Sequence, residues 1–201
     1  DLSDPLVRDG GGRLVLRLFN SQKPLIGACN GVAVGVGATM QLPFDMRLCS
    51  DNARFGFVFA KRGITPEACS SWFLPRLVGM STALEWCMTG RIFDAQEALD
   101  AGLVRSVHPQ GELMDAARAL AHEIAENASP ISVAMTRALL WRLSAEDHPM
   151  INSLWAERRT IVLVTVPLGG LRNGLIFKLC RAAENAAAKL KQFVRTIREK
   201  R

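Results

Sequence analysis

The most informative stretch of this chain for its fold is Lys23–Thr39, K-P-L-I-G-A-C-N-G-V-A-V-G-V-G-A-T. Its apolar run Leu25–Cys29 is typical of a buried strand. Three glycines follow, which predicts a turn and then a short helix over Val36–Leu42. The first N–H groups of such a helix have no internal acceptor and lie at the positive end of its dipole. They can bind an anion or an oxygen that becomes negative during a reaction, although close packing is an alternative reason for small residues here.

Length and composition are those of an ordinary globular domain. The chain has 201 residues and 22.0 kDa, with 49% hydrophobic and 22% charged residues, which excludes disordered and fibrous classes. Residues 1–150 contain 14 Lys or Arg and 16 Asp or Glu, whereas residues 151–201 contain 11 and 3, so the net charge of +6 comes from the last quarter. Such a basic segment can bind nucleic acid, a membrane surface or phosphate groups, or it is the solvated face of a helix.

The sequence favours a reducing compartment and no membrane span. Five cysteines are spread widely without a C-x-x-C pair, which predicts buried, reduced thiols and not disulfides or a zinc site. Pro24–Phe44 is 21 residues long and uncharged, but glycines and polar residues interrupt it, so a strand, turn and helix are favoured over a span. The chain starts without a signal-peptide pattern, so we expect a cytoplasmic protein or, in a eukaryote, one of the mitochondrial matrix or peroxisome, and not a secreted one.

Strands are predicted first and helices afterwards, which indicates a mixed α/β fold. The predicted strands are Leu25–Cys29, Met46–Cys49, Arg54–Phe59 and Leu103–Val107. The predicted helices are Val36–Leu42, Ser71–Val78, a helix capped by Ser81 and ended by Gly90, Glu112–Asn127 and Pro130–Leu143. Gly10–Gly12 predict a flexible start or loop, and the periodicity of Arg13–Ser21 leaves strand and helix open. Asp94 and Glu97 predict a capping box, in which each side chain accepts a backbone N–H of the other residue.

Glu67 is the single acidic residue between Asp51 and Glu85, and it follows Pro66 directly. A solitary glutamate after proline is often a charge in the first turn of a helix. The functional interpretation is a general base whose pKa is tuned by apolar neighbours. The residues alone leave both interpretations open.

Four motifs in this order resemble the crotonase superfamily, the enoyl-CoA hydratases and isomerases. They are Lys23–Thr39, A-R-F-G-F at Ala53–Phe57, L-V-G-M-S-T-A-L-E at Leu77–Glu85 and T-G-R-I-F-D-A-Q-E-A-L-D-A-G-L-V at Thr89–Val104. The resemblance runs from Asp1 to about Leu143. It implies an α/β fold with a crotonase-type ββα superhelix, a spiral core followed by a helical C-terminal portion, usually assembled as a homotrimer or a dimer of trimers. It also implies acyl-CoA thioester substrates, a role in fatty acid metabolism, and no cofactor beyond coenzyme A as part of the substrate.

The superfamily polarises the thioester carbonyl with two backbone N–H groups that form an oxyanion hole, so that an enolate-like intermediate can form. The resemblance implies that one donor is Val36, between Gly35 and Gly37, whose backbone alone is used. The other donor is an alanine in a Gly-Ala-Asp-Leu segment, and Asp1-Leu2 resembles the end of that segment. We therefore expect Asp1 and Leu2, like the two glycines, to lie at the substrate. The alanine donor and the strands before it are expected to be missing from this chain.

Departures from the hydratase pattern favour isomerisation. Hydratases use two glutamates, and the matching positions here hold Thr39 and Phe59, neither of which can shuttle protons. Glu67, directly after Pro66, matches the single catalytic glutamate of Δ3,Δ2-enoyl-CoA isomerases. The expected reaction is isomerisation of a 3-enoyl-CoA to a 2-enoyl-CoA with Glu67 as acid and base, while Phe59 and Pro66 contact the substrate. The alternatives are an enoyl-CoA hydratase-like lyase and a non-catalytic module that binds CoA or a protein partner.

We predict a division of the chain at His148. Residues 1–148 form the acyl-CoA-binding core, and residues 149–201 form a basic, mostly helical region. Candidates in that region for contact with CoA phosphates are Lys189, Lys191 and Lys200. Nucleic-acid binding is the least favoured alternative, because the region offers no platform of aromatic residues on which bases stack. We expect neither a metal nor a redox cofactor.

Overall fold

The computed structural model describes residues 9–144, where helices and strands are interspersed. The helices are α1 (Gly10–Phe19), α2 (Val36–Thr39), α3 (Ser70–Val78), α4 (Met80–Thr89), α5 (Ala95–Asp100), α6 (Leu113–Asn127) and α7 (Pro130–Leu143), with a 3-10 turn at Ala60–Arg62. The strands are β1 (Ile26–Cys29), β2 (Val32–Val34), β3 (Met46–Ser50), β4 (Arg54–Gly56), β5 (Ile92–Asp94) and β6 (Ser106–His108). None of the helices in this part of the chain is long and apolar enough to cross a membrane.

Backbone contacts divide the chain into two units, residues 1–134 and 135–201. The elements from α1 to α6 belong to the first unit, and the described part of the second unit is most of α7. The predicted division at His148 lies outside the described residues, as do Asp1, Leu2 and the three candidate lysines.

The strands of the described residues form two three-stranded sheets. One has the order β1-β3-β6 and is parallel throughout, with Ile26 opposite Met46. In the other sheet β2 and β4 are parallel, with Val32 opposite Arg54, and β5 pairs antiparallel with β4. β1 and β2 join different sheets and are followed by α2. β3 and β4 again join different sheets and are followed by the 3-10 turn and α3. This is the ββα superhelix that the resemblance implies.

The sequence predicts a turn where the structure has β2. The strand Val32–Val34 is only three residues long and is flanked by glycines, so it shows no periodicity of its own. It is extended because it pairs with β4, and the Gly35 N–H donates to the Gly56 carbonyl oxygen (3.0 Å) at the end of the ladder. The prediction of a turn is therefore wrong at this point.

Gly10–Gly12 form the first turn of α1, so the prediction of a flexible start is also wrong. The Asp9 carboxylate caps this turn, accepting hydrogen bonds from the N–H groups of the second and third glycines at 2.9 and 2.8 Å. The helix buries Val15 completely, and the ring of Phe19 packs edge-on against Trp72 of α3 at 5.8 Å. Capping and packing together outweigh the poor helix propensity of glycine.

A single glycine joins α3 to α4. Gly79 has a φ of +79°, a left-handed conformation that favours glycine, and α3 ends before it while α4 begins directly after it at Met80. The predicted cap at Ser81 is therefore wrong, because the helix has already begun. Gly90 ends α4 with a φ of +57°, as predicted.

The predicted capping box of α5 forms by half. The Asp94 carboxylate accepts a hydrogen bond from the Glu97 N–H at 2.9 Å, as expected. The Glu97 carboxylate is instead engaged by the Trp86 Nε1–H at 2.8 Å and by an ion pair with Arg91. These partners draw Glu97 toward the core, where Trp86 is fully buried and stacks on Phe93 at 3.9 Å.

The described cysteines form no disulfide with one another, and they are not uniformly buried. Cys49 is buried, whereas Cys29, Cys69 and Cys87 are half-buried. The prediction of burial is therefore wrong for these three, and Cys180 lies outside the described residues.

Arg47 of β3 is a buried charge that holds the chain around α2 to the sheet. Its side chain is 8% exposed and donates to the carbonyl oxygens of Leu103 (2.6 Å), Phe44 (2.5 Å) and Leu42 (3.3 Å). Burial lowers the pKa of Arg47 to about 10, although the Asp45 carboxylate opposes that shift. The guanidinium thus fixes the segment after α2 against the residues that lead into β6.

We predict that Arg47→Ala lowers the free energy of unfolding by about 3 kcal/mol, because three carbonyl oxygens lose their donor and a cavity remains. The matched control is Arg54→Ala on the neighbouring sheet, since Arg54 is exposed and donates to the carbonyl of the adjacent Ala53. Its expected change is within about 0.5 kcal/mol. Urea denaturation followed by tryptophan fluorescence measures both, and similar losses in the two variants would contradict the role of Arg47.

Candidate active site

The Glu67 side chain is held against α2. Glu67 lies on the loop between the 3-10 turn and α3, and its carboxyl group is half-buried. The Thr39 hydroxyl donates a hydrogen bond to Glu67 Oε1 at 2.9 Å. Thr39 is fully buried in α2, and its oxygen also lies 3.4 Å from the carbonyl oxygen of Val36, the first residue of that helix. One hydrogen bond therefore joins the glutamate loop to the helix that starts at Val36.

The backbone after Glu67 is strained. Ala68 and Cys69 both have a φ of 56°, a left-handed conformation that is uncommon for residues with a side chain. Ser70 stabilises this bend, because its hydroxyl and its N–H donate to the Glu67 carbonyl oxygen at 2.5 and 3.0 Å. Strained residues of this kind cost on the order of 1–3 kcal/mol each and cluster at functional sites. The bend follows directly on Glu67, whose side chain lies beside α2 and binds Thr39.

A second carboxyl group, that of Asp9, lies beside Glu67. A Cβ atom placed on Gly11 would collide with Glu67 Oε2 and lie 3.3 Å from Asp9 Oδ1, so the two carboxyl groups are neighbours. Asp9 Oδ2 also accepts a hydrogen bond from the Ala68 N–H at 2.8 Å, which ties the start of α1 to the glutamate loop. Sequence reasoning missed Asp9 because three glycines follow it. The available signal was an aspartate immediately before a segment with helical spacing, which is a typical N-cap.

The two carboxyl groups have opposite electrostatic environments. Burial raises the pKa of Glu67, and the hydrogen bond and charge of Asp9 raise it further, while the Thr39 hydroxyl lowers it; the net shift is upward. Burial also acts to raise the pKa of Asp9, but hydrogen bonds from the N–H groups of Ala68, Gly11 and Gly12 outweigh it, so the net shift is downward. Of the two carboxyl groups, Glu67 is therefore the one that binds a proton at the higher pH.

The start of α2 is open to a ligand. Gly35 has a φ of 58° and precedes the helix, and the first N–H that reaches back into the helix is that of Ala38, which donates to the Gly35 carbonyl at 2.9 Å. The N–H groups of Val36 and Gly37 precede this bond. A Cβ atom added to either glycine would meet nothing within 4 Å, so open space, and not close packing, surrounds them.

The remaining predicted residues lie close in sequence to Glu67. Phe59 is 5% exposed, and its carbonyl oxygen accepts the N–H of Ile64 at 3.2 Å, which closes the turn that leads to the glutamate. Pro66 is half-buried directly before Glu67. Contact of either residue with a substrate stays a prediction, as it does for Asp1 and Leu2.

A sequence model of the enoyl-CoA hydratase/isomerase family matches residues 4–159. The chain is 43% identical over 136 residues to the enoyl-CoA hydratase ACTT3 of Alternaria alternata. These aligned residues are 67% of this chain and 46% of that protein. It is 39% identical over 137 residues to the carnitinyl-CoA dehydratase of Escherichia coli K12, and these residues are 68% of this chain and 52% of that protein. The chain thus spans about half the length of the curated relatives it matches.

Solved structures share the fold. An enoyl-CoA hydratase/isomerase from Cupriavidus metallidurans CH34 superposes with a TM-score of 0.73 at 30% identity, covering 78% of this chain and 58% of that chain. A protein from Thermobifida fusca YX, described as an enoyl-CoA hydratase in complex with acetoacetyl-CoA, superposes with a TM-score of 0.71 at 27% identity. That match covers 75% of this chain and 58% of the other.

Gly11 leaves the space that the Glu67 carboxyl group occupies. A Cβ atom on Gly11 would collide with Glu67 Oε2 and lie 3.1 Å from Ala68 Cβ, whereas a Cβ atom on Gly10 would meet nothing within 4 Å. We predict that Gly11→Ala is less stable than Gly10→Ala by about 1–3 kcal/mol, because the inserted methyl group overpacks the site. Chemical denaturation of the two variants measures the difference. Equal stability would mean that the Glu67 side chain moves aside without cost and is not held over Gly11.

Proposed function

The chain belongs to the enoyl-CoA hydratase/isomerase family of the crotonase superfamily, and we propose that it is an acyl-CoA enzyme that isomerises a 3-enoyl-CoA to a 2-enoyl-CoA. The observation that carries the proposal is the hydrogen bond from Thr39 to Glu67, which fixes an acid–base group against the helix that begins at Val36. A fold shared with a protein that binds acetoacetyl-CoA supports a CoA thioester as the substrate.

In the proposed reaction the Val36 N–H donates a hydrogen bond to the thioester carbonyl oxygen. Glu67 removes a proton from C2, and the electron pair moves onto that oxygen as an enolate, which the N–H group stabilises. The double bond shifts from C3–C4 to C2–C3 as Glu67 returns the same proton to C4. Atoms and charge balance, so one carboxyl group suffices for the whole reaction.

The surroundings of Glu67 suit a group that both takes and returns a proton. Its raised pKa lies nearer to neutral pH than that of an ordinary glutamate, which favours transfer in both directions. Thr39 and Phe59, at the positions that match the hydratase glutamates, carry no titratable group. In the proposed site Thr39 has a different task, because its hydroxyl orients the glutamate.

Hydration of a 2-enoyl-CoA is the second candidate. The relatives named above include a hydratase and a dehydratase, and Asp9 provides a carboxyl group beside Glu67. Two carboxyl groups can bind and activate one water molecule for addition to the double bond. The product would be a 3-hydroxyacyl-CoA, which chromatography separates from the isomerised 2-enoyl-CoA.

We predict that Glu67→Gln lowers turnover of a 3-enoyl-CoA at least about a hundredfold, because glutamine keeps the shape of the side chain but cannot take up the C2 proton. The matched control is Glu112→Gln, since Glu112 is exposed and its side chain makes no capping hydrogen bond to α6. Its turnover should equal that of the unmodified protein. Chromatography of the CoA products measures both rates and identifies the product.

Each outcome of that experiment is informative. A 3-hydroxyacyl-CoA as the dominant product would replace isomerisation by hydration. Equal turnover in the Glu67→Gln variant and the unmodified protein would remove Glu67 from the reaction. Binding of CoA thioesters without turnover in the unmodified protein would favour the non-catalytic module.

The Thr39 hydroxyl gives a prediction about pH. Its hydrogen bond stabilises the ionised form of Glu67 and so lowers the pKa of that group. We predict that Thr39→Val raises the Glu67 pKa further, so that the acid limb of the pH–rate profile moves to higher pH. Thr39→Ser, which keeps the hydroxyl, should restore the profile of the unmodified protein. An acid limb that moves to lower pH in the valine variant would contradict the proposed hydrogen-bond direction.

A further inference from the structure

We propose that Asp9 is a positioning residue whose ionised carboxylate orients the Glu67 carboxyl group and strengthens Glu67 as a base. This inference rests on the proposed role of Glu67 as the acid and base. Asp9 acts from outside the reacting groups, since its hydrogen bonds run to the backbone and to Glu67. It belongs to a segment that the motifs of the family resemblance do not include.

Asp9 is fixed by the backbone of two separate segments. Its carboxylate accepts the N–H groups of Gly11 at 2.9 Å and Gly12 at 2.8 Å from the first turn of α1. It also accepts the N–H of Ala68 at 2.8 Å from the glutamate loop. Three N–H donors and the positive end of the helix dipole all favour the ionised form of Asp9.

The two carboxyl groups meet over the Cα atom of Gly11. A Cβ atom there would collide with Glu67 Oε2 and lie 3.3 Å from Asp9 Oδ1. The space that a side chain would fill is therefore taken by a pair of carboxyl oxygens. Glycine at this position is what permits the pair to form.

Two neighbouring carboxyl groups repel each other when both are ionised, so an ionised Asp9 favours the protonated form of Glu67. The hydrogen-bond donors determine which of the two groups ionises first. Asp9 has three backbone N–H donors, whereas the partner of Glu67 on α2 is the neutral Thr39 hydroxyl. Asp9 therefore ionises first, and Glu67 ionises at higher pH to become the base of the proposed reaction. Among the described residues, the Cys69 thiol also responds to the pair, since its pKa is raised by burial and by both carboxylates.

The pairing matters for the proposed reaction at one step. When Glu67 has taken the C2 proton, the neighbouring Asp9 carboxylate accepts the hydrogen bond of the new carboxylic acid and stabilises it. Glu67 is thereby a stronger base toward a weak carbon acid than an isolated glutamate.

The test compares Asp9→Asn with the unmodified protein. Asparagine is as good an N-cap as aspartate, but it has no charge and its amide can donate to the Glu67 carboxylate. We expect the Glu67 pKa to fall, the acid limb of the pH–rate profile to move to lower pH, and kcat to fall about three- to tenfold with little change in KM. Carbon-13 NMR of labelled glutamate carboxyl groups, with Glu67→Gln for assignment, measures the pKa without turnover.

Two further variants distinguish pairing from capping. Asp9→Ser keeps a helix-capping oxygen without a carboxylate, so a purely structural role predicts an unmodified pH profile and the proposal predicts a shifted one. Asp94→Asn changes the equivalent N-cap of α5, where Asp94 accepts the Glu97 N–H at 2.9 Å, and should leave the Glu67 pKa unchanged.

An unchanged or higher Glu67 pKa in Asp9→Asn would overturn the proposal, and so would an unmodified profile in Asp9→Ser. The NMR titration separates this failure from failure of the proposed function. A lowered Glu67 pKa in a protein that does not isomerise 3-enoyl-CoA would support the pairing and overturn the reaction.

Discussion

A chain of hydrogen bonds, from Thr39 to Glu67 and from the adjacent Ala68 N–H to Asp9, connects three segments that are far apart in sequence. Thr39 belongs to the short helix α2, Glu67 to a strained loop, and Asp9 to the start of α1. Each of these segments is weak by itself, because α2 is only four residues long and α1 begins with three glycines. The proposed site exists because these side chains bind one another across the fold.

The spiral supplies the rigid frame on which this chain of hydrogen bonds depends. α2 follows β2 directly, so its position is set by the ladder between β2 and β4. The segment after α2 is held by the buried Arg47, which donates hydrogen bonds to carbonyl oxygens of that segment and of the residues before β6. Strain at Ala68 and Cys69 is supported by the same frame, since Ala68 and Ser70 are buried. The stable sheets therefore support the strained backbone of Ala68 and Cys69 in the loop.

Local patterns predicted the elements whose residues carry their own signal. The apolar run of β1, the proline at the start of α7 and the positive-φ glycine at the end of α4 are examples, and the structure confirms each. The pattern failed where distant contacts decide the conformation. β2 is extended because β4 lies beside it, and Gly10–Gly12 are helical because Asp9 caps them and Phe19 packs on α3.

For the candidate site, the residue types alone predicted which chemical groups are present: a solitary glutamate at position 67, small residues before α2, and no titratable group at Thr39 or Phe59. How these groups are placed relative to one another became visible only in the folded chain. Thr39 donates a hydrogen bond to Glu67, and Asp9, which is far away in sequence, lies beside it. These contacts escape the sequence because a pKa and a hydrogen bond depend on distance in space, whereas a sequence records only the order of the residues.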